Sequence, residues 1–305
     1  MAFKHITIEK KDYIGRITIN RPEARNSLSV EGFRELAEAF HDVTYDSSVG
    51  VVVLTGAGDK AFTAGADVKG FKDKITRNPV EGLRFTSEFV RMGAEMRRCG
   101  KPIIARVFGD VVGGGVELMM YCDLVVAAEN TRLLGGEAFV GAVPIVTTQM
   151  APIVMGEKRA KWFLLTGDRI DARTAYEWGL VNKVVPFDKL DEEVDKLCQT
   201  LLHKFPWALG IAKTQLNFWQ DLSSTVALQG CESWALHAGT VPELLEGASA
   251  FMDKRPTEWM KFRERAAEGK PAEYLWGAPA KDCPKCGAQN LPESFKFCGK
   301  CGAEL

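Results

Sequence analysis

The sequence predicts an α/β protein that ends in a helical tail and a small cysteine-held module. Three observations carry that expectation. Apolar runs at residues 51–54, 103–105 and 124–127 lack polar alternation, as strands buried on both faces of a parallel sheet do, and helical patterns fill the intervals between them. From about residue 188 the pattern turns wholly helical, over 188–204, 207–219, 223–238 and 241–253. Two Cys-x-x-Cys pairs then lie between residues 283 and 301.

The N-terminal region alternates as strands do at Ile6-Thr-Ile8 and Ile17-Thr-Ile19, so the chain is expected to enter its fold directly, without a signal sequence. With 305 residues, 46% hydrophobic and 26% charged, it has the composition of a soluble globular protein with room for one large core and a minidomain. A formal net charge of -1 gives no electrostatic case for nucleic acid or a membrane surface, and no apolar run approaches the length that crosses a bilayer. Cys99, Cys122, Cys198 and Cys231 are scattered without pairing logic, which predicts reduced thiols in the cytoplasm. Cys122 sits in an apolar stretch and reads as core. The four histidines lie outside every motif and there is no Gly-x-Ser-x-Gly elbow, so a Ser-His-Asp machine lacks its parts. Neither a Walker loop nor a complete Gly-x-Gly-x-x-Gly is present, so a nucleotide cofactor is not expected.

Two segments about fifty residues apart carry the chemistry: Ala61-Phe-Thr-Ala-Gly-Ala-Asp-Val-Lys69 and Gly109-Asp-Val-Val-Gly-Gly-Gly-Val-Glu-Leu118. In the second, residues 102–108 read as a strand, the glycines as a turn and residues 116–121 as the start of a helix. A helix start leaves N–H groups unpaired at the positive end of the dipole, which suits an oxygen that becomes negative during a reaction. Glu117 follows Gly114 by three residues, so its carboxylate shares a face with that N–H, among apolar neighbours that should raise its pKa. Taken alone, the segment reads either as such a site or as a tight turn followed by an acid favoured by the helix dipole.

The wider pattern resembles the crotonase, or enoyl-CoA hydratase/isomerase, superfamily over about residues 4–262. The matching stretches are Asn20-Arg-Pro-Glu-Ala-Arg-Asn-Ser-Leu28, residues 61–69, residues 109–123, and Leu165-Thr-Gly-Asp-Arg-Ile-Asp-Ala-Arg-Thr-Ala-Tyr-Glu-Trp-Gly-Leu-Val181. The resemblance implies a core of repeated ββα turns wound as a spiral, with a helical tail that builds trimers and hexamers. It implies that the N–H groups of Ala66 and Gly114 form an oxyanion hole for an acyl-CoA thioester carbonyl, with Ala64 near the adenine and Arg25 and Lys69 toward the CoA phosphates. Arg25 and Lys69 also read as ordinary solvated surface residues. Phe251, Lys254 and Arg255 match a region that often reaches a neighbour's CoA site, and read equally as a helix-end charge pair with one core aromatic.

Glu137 falls where hydratases of the family carry a second glutamate. Retention of both Glu117 and Glu137 implies water addition across the α,β double bond, with Glu117 activating water and Glu137 moving the α-proton. The family's usual Pro-Gly-x-Gly-Gly-Thr-Gln is here Pro144-Ile-Val-Thr-Thr-Gln149, and its Pro-Glu is Gly136-Glu137. Ile145 keeps the N–H of the glycine that helps seat water but adds a branched side chain. That departure leaves open an isomerase, a hydratase or hydrolase for a cyclic acyl-CoA, and a noncatalytic acyl-CoA-binding scaffold. The acyl pocket walls are expected from distant segments such as residues 71–89.

Cys283-Pro-Lys-Cys286-Gly and Cys298-Gly-Lys-Cys301-Gly are two knuckles suited to tetrahedral thiolate coordination of Zn²⁺, and the segment resembles a zinc ribbon. A redox dithiol pair is the alternative. With four thiolates on the metal the site would be structural, and the ribbon is expected to serve protein contact or subunit packing. The division expected is an acyl-CoA domain at 1–265, with its helical oligomerisation region at about 188–265, a linker at 266–282 and the ribbon at 283–305.

Overall fold

The computed structural model describes residues 3–70, 79–238, 242–270, 279–288, 291–292 and 295–305. A hairpin of β1 (Ile6–Lys11) and β2 (Ile14–Ile19) opens the chain and is followed by α1 (Val30–Tyr45). Ser29 caps α1 by accepting from the Gly32 N–H at 3.3 Å. Three strand pairs then repeat: β3 (Val51–Gly56) with β4 (Ala61–Thr63), β5 (Ile103–Val107) with β6 (Asp110–Val112), and β7 (Leu124–Ala128) with β8 (Arg132–Leu134). The first pair runs into the single turn α2 (Val68–Gly70) and then α3 (Pro79–Arg98); the second runs into α4 (Gly114–Met120).

The first strand of each pair joins a six-stranded sheet and the second a four-stranded one. Their orders are β1-β2-β3-β5-β7-β10 and β4-β6-β8-β9, where β9 is Ile170–Asp171 and β10 Lys183–Val185. β2, β3, β5, β7 and β10 run parallel, as do β4, β6 and β8. Each ββα unit therefore advances by one strand in both sheets, which is the expected spiral. The apolar runs alternate faces with period two. Val52, Leu54, Ile103 and Ala105 enter a core beneath α1 and α3, while Val51, Val53, Ile104 and Val126 enter a second core beneath α8 (Leu190–Leu202), with Leu190, Val194 and Cys198.

Between β8 and β9 lie a 3-10 turn at Glu137–Val140, α5 (Thr147–Met155) and α6 (Glu157–Thr166), and between β9 and β10 lies α7 (Ala172–Glu177). After α8 come α9 (Pro206–Ala238), α10 (Pro242–Asp253) and α11 (Trp259–Ala267). The tail is helical as expected, with one difference. The helices read at 207–219 and 223–238 are one continuous α9, because no Gly or Pro separates them and Arg97 of α3 grips the junction through Gln220 and Asp221. Residue 241, read as a helix start, lies outside the described residues. β11 (Pro279–Lys281) pairs with β12 (Leu291–Pro292), and residues 271–278 of the segment read as linker lie outside the described residues. Among the described residues no helix is long and apolar enough to cross a membrane. Cys99, Cys122 and Cys198 are buried, and desolvation raises the thiol pKa of Cys122 and pushes that of Cys198 to about 11.

Candidate active site and cysteine centre

The two chemical segments meet because their backbones touch. Gly65 has φ +76°, and a Cβ built there would lie 2.3 Å from the Val112 carbonyl oxygen and 3.0 Å from the Gly114 N, so only glycine allows the approach. Asn26 holds the loop from the other side. Its buried amide donates to the carbonyls of Ala57 and Ala61 at 2.9 and 2.8 Å, while the Leu28 N–H donates to the Gly65 carbonyl and the Asp67 N–H to the Leu28 carbonyl. Thr63 Oγ1 donates to the Asn26 carbonyl at 2.6 Å and accepts from the Gly65 N–H. Ala66 is thus fixed beside the first residue of α4. A Cβ on Gly114 would lie 3.7 Å from the Ala66 N and 3.9 Å from Glu117 Oε2. Among the described residues, neither the Ala66 nor the Gly114 N–H has an acceptor. The pair therefore offers two free donors facing one cavity, next to a carboxylate.

Glu117 is buried, and its Oε1 accepts from the N–H groups of Val146 and Thr147, the latter at 3.2 Å. The departed segment thus supplies the start of α5 as an amide cradle, toward which the Ile145 N–H also contributes. Gln149 donates to the Ile145 carbonyl at 2.6 Å and fixes that turn. Burial raises the Glu117 pKa, and the amides oppose the rise. Oε2 remains on the Gly114 side.

Glu137 begins its 3-10 turn directly opposite the preceding glycine. A Cβ on Gly113, whose φ is +52°, would lie 3.0 Å from Glu137 Oε1. That oxygen is shielded from solvent and has no hydrogen-bond partner among the described residues. Desolvation first, and the Glu117 charge second, push the Glu137 carboxyl up to about 8. Adjacent glycines therefore separate two carboxyl groups held in different ways: one cradled by amides, one orphaned.

Both carboxyls, with Ala64, Ala66 and Gly114, line a cavity of about 560 Å³. Its walls are mostly apolar. Phe85 and Phe89 confirm part of the expected wall segment, and residues 71–78 of that segment lie outside the described residues. Phe33 stacks edge-on against both rings, with centroids 5.3 and 5.2 Å away, and Ile145 is also among the lining residues.

The two residues expected toward the CoA phosphates are not among the lining residues of the cavity. Lys69 is exposed and outside the cavity lining, and Arg25 is 2.9 Å from the Asp110 carboxylate, where Arg132 and Arg169 also gather. Phe251 and Arg255 line this chain's own cavity, Phe251 being 60% exposed and so not a core aromatic. Arg255 forms a bidentate pair with Glu246 at 2.7 and 2.9 Å, as a helix-end charge pair would. Sequence reasoning gave no role to Asn26, Thr63 or Gln149. Asn26 stands in a quoted motif, but its task depends on carbonyls more than thirty residues away.

The Sγ atoms of Cys283, Cys286, Cys298 and Cys301 all lie within 4.8 Å of one another, two pairs at 3.6 Å. A tetrahedron of zinc–sulfur bonds of about 2.3 Å has edges of about 3.8 Å, so the cluster has the size such a metal needs. The two knuckles are alike in hydrogen bonding: Cys283 N–H to the Ala288 carbonyl and Gly287 N–H to the Cys283 carbonyl, then Cys298 N–H to Ala303 and Gly302 N–H to Cys298.

Comparison with known proteins agrees with this geometry. A crotonyl-CoA hydratase from Syntrophomonas wolfei subsp. wolfei is 33% identical over 263 residues, 85% of this chain and 99% of its own length. A short-chain-enoyl-CoA hydratase from Clostridium acetobutylicum is 32% identical over 265 residues, 86% of this chain and all of its own length. The crystal structure of an enoyl-CoA hydratase from Mycobacterium avium subsp. paratuberculosis superposes with a TM-score of 0.77 at 28% identity, covering 84% of this chain and 99% of that one. The family model for enoyl-CoA hydratase/isomerase matches residues 9–262, from β1 to α11. A spiral of ββα units, two free N–H groups at one cavity and a match across that whole span give one conclusion: the chain belongs to the enoyl-CoA hydratase/isomerase, or crotonase, family of enzymes.

Proposed function

We propose that the protein is an enoyl-CoA hydratase that adds water reversibly across the α,β double bond of an acyl-CoA thioester. The observation that carries this reading is the pairing of Glu117 and Glu137 in one cavity beside the free N–H groups of Ala66 and Gly114. The names of the two relatives, both hydratases of enoyl-CoA thioesters, support the substrate class.

The thioester oxygen accepts hydrogen bonds from Ala66 and Gly114. Glu117, ionised and oriented by the α5 amides, takes a proton from water as its oxygen bonds to the β-carbon. The double-bond electrons move onto the α-carbon and thioester, and the oxygen gains charge between the two donors, each worth about 2.7 to 4 kcal/mol of transition-state stabilisation. Glu137, held protonated by burial and by the Glu117 charge, donates its proton to the α-carbon. Ala64 lies on the route of the CoA moiety, with Lys69 and Arg25 near its phosphates; Arg25 would exchange its contact with Asp110 to do so.

The four cysteines hold a structural zinc ion that supplies no open coordination position. The ribbon at 283–305 serves protein contact or subunit packing, joined through 266–282 to the acyl-CoA domain at 1–265. The helical region from about 188 packs copies of the chain into trimers or hexamers, a reading supported by exposed Trp207, Leu216 and Trp219 on α9. The protein is read as cytoplasmic. Mass analysis of products from crotonyl-CoA and longer or branched enoyl-CoA thioesters tests the activity: a gain of one water is expected, and an isomer of unchanged mass would refute hydration.

A further inference from the structure

α10 packs on the turn that carries Glu137 by direct backbone contact. A Cβ built on Gly247 would lie 2.4 Å from the Val140 carbonyl carbon and 2.6 Å from its Cα and oxygen, and one on Gly141 would lie 2.6 Å from the Glu243 carbonyl oxygen. Val140 and Gly141 end the turn that Glu137 begins, and Gly141 N–H donates back to the Glu137 carbonyl. No side chain can move aside at these contacts, because main chain meets main chain. Leu244 and Ala248 of α10 meanwhile wall the cavity, so the helix both seats the turn and excludes water from it.

α10 is itself strapped down. Glu246, which does not line the cavity, accepts from both Arg255 terminal nitrogens and from the Glu258 N–H at 2.9 Å, and faces Lys261 at 3.7 Å. Glu137 has no such strap. Its Oε1 has no hydrogen bond among the described residues, so the seating of its backbone turn governs where that oxygen points.

We infer that Gly247 is a positioning residue for Glu137: α10, held by the Glu246–Arg255 pair and seated on Val140 through Gly247, aims the second carboxyl at the α-carbon. This inference rests on the proposed hydration. It makes the C-terminal tail part of the proton-transfer geometry as well as of the acyl pocket wall.

The test uses the full-length protein with Gly247→Ala, Glu246→Gln and Glu137→Gln. A misplacement of about 1 Å costs roughly 100-fold in rate, so Gly247→Ala should lose roughly 100-fold in kcat with KM for the enoyl-CoA within about twofold. Glu246→Gln, which loosens the strap without touching the turn, should lower kcat in the same direction by a smaller factor. The pH profile adds a readout that simple destabilisation would not move. As water reaches Glu137, the upper limb of the hydration rate should shift from about 8 toward ordinary carboxyl values. The other charged groups lining the cavity, Glu117, Arg169 and Arg255, are retained in both positioning variants. Wild-type kcat and pH limb in either folded variant, or a change in KM alone, would overturn the inference, and Glu246→Gln decides if Gly247→Ala does not fold. Failure of the hydration reading looks different: wild type would add no water, or Glu137→Gln would turn over normally.

Discussion

In the proposed hydration Glu117 and Glu137 divide the acid–base work because their surroundings differ. Burial raises the pKa of both carboxyls; three amides oppose the rise at Glu117, whereas the neighbouring Glu117 charge adds to it at Glu137. Hydration should therefore slow as pH rises through about 8, when Glu137 loses the proton it must donate. Stability follows the same sign. A carboxyl whose pKa is raised by folding binds more protons folded than unfolded, so stability is lost as pH rises from its unfolded value to about 8. Thermal melts should show Glu137→Gln losing less stability than wild type over that range; equal losses would contradict the assignment. Asn26→Ala removes the two hydrogen bonds its amide donates, one of them buried, and the one its Oδ1 accepts from the Arg21 N–H, and should cost about 1 to 3 kcal/mol in denaturant unfolding.

The spiral elements were legible in the sequence because strands buried on both faces announce themselves as apolar runs, as at residues 51–54. The C-terminal elements were harder to delimit. α9 reads as two helices at residues 219–223 because its polar residues there answer to Arg97, far away in sequence. Gly247 and Gly141 gave no local signal, since their need for a missing side chain arises only where α10 meets the Glu137 turn. α9 is also fixed by Lys213, whose ammonium lies 2.8 Å from Asp123 and 3.0 Å from the Lys101 carbonyl. Both partners are largely buried, so Lys213→Met, which strands the Asp123 carboxylate, should destabilise the fold by about 3 kcal/mol or more in urea titration.

At the scale of the whole molecule, the cavity takes its lining from widely separated parts of the family region, from Phe33 of α1 to Thr257 beyond α10, while the described residues of the cysteine module lie outside it. Metal removal should therefore unfold residues 283–305 and spare turnover. A chelator is expected to release one zinc per chain with kcat unchanged, and parallel loss of turnover in a protein that still assembles would refute a purely structural ribbon. Water addition to an enoyl-CoA thioester by two carboxyls in one cavity is the proposed reaction. Its most direct test is turnover of linear, branched and cyclic enoyl-CoA thioesters with products identified by mass, for wild type, Glu117→Gln and Glu137→Gln. Water addition by wild type, reduced by roughly 100-fold or more in each variant, is the result predicted. Wild-type rates in either variant, or tight binding of enoyl-CoA thioesters with no water added, would contradict it.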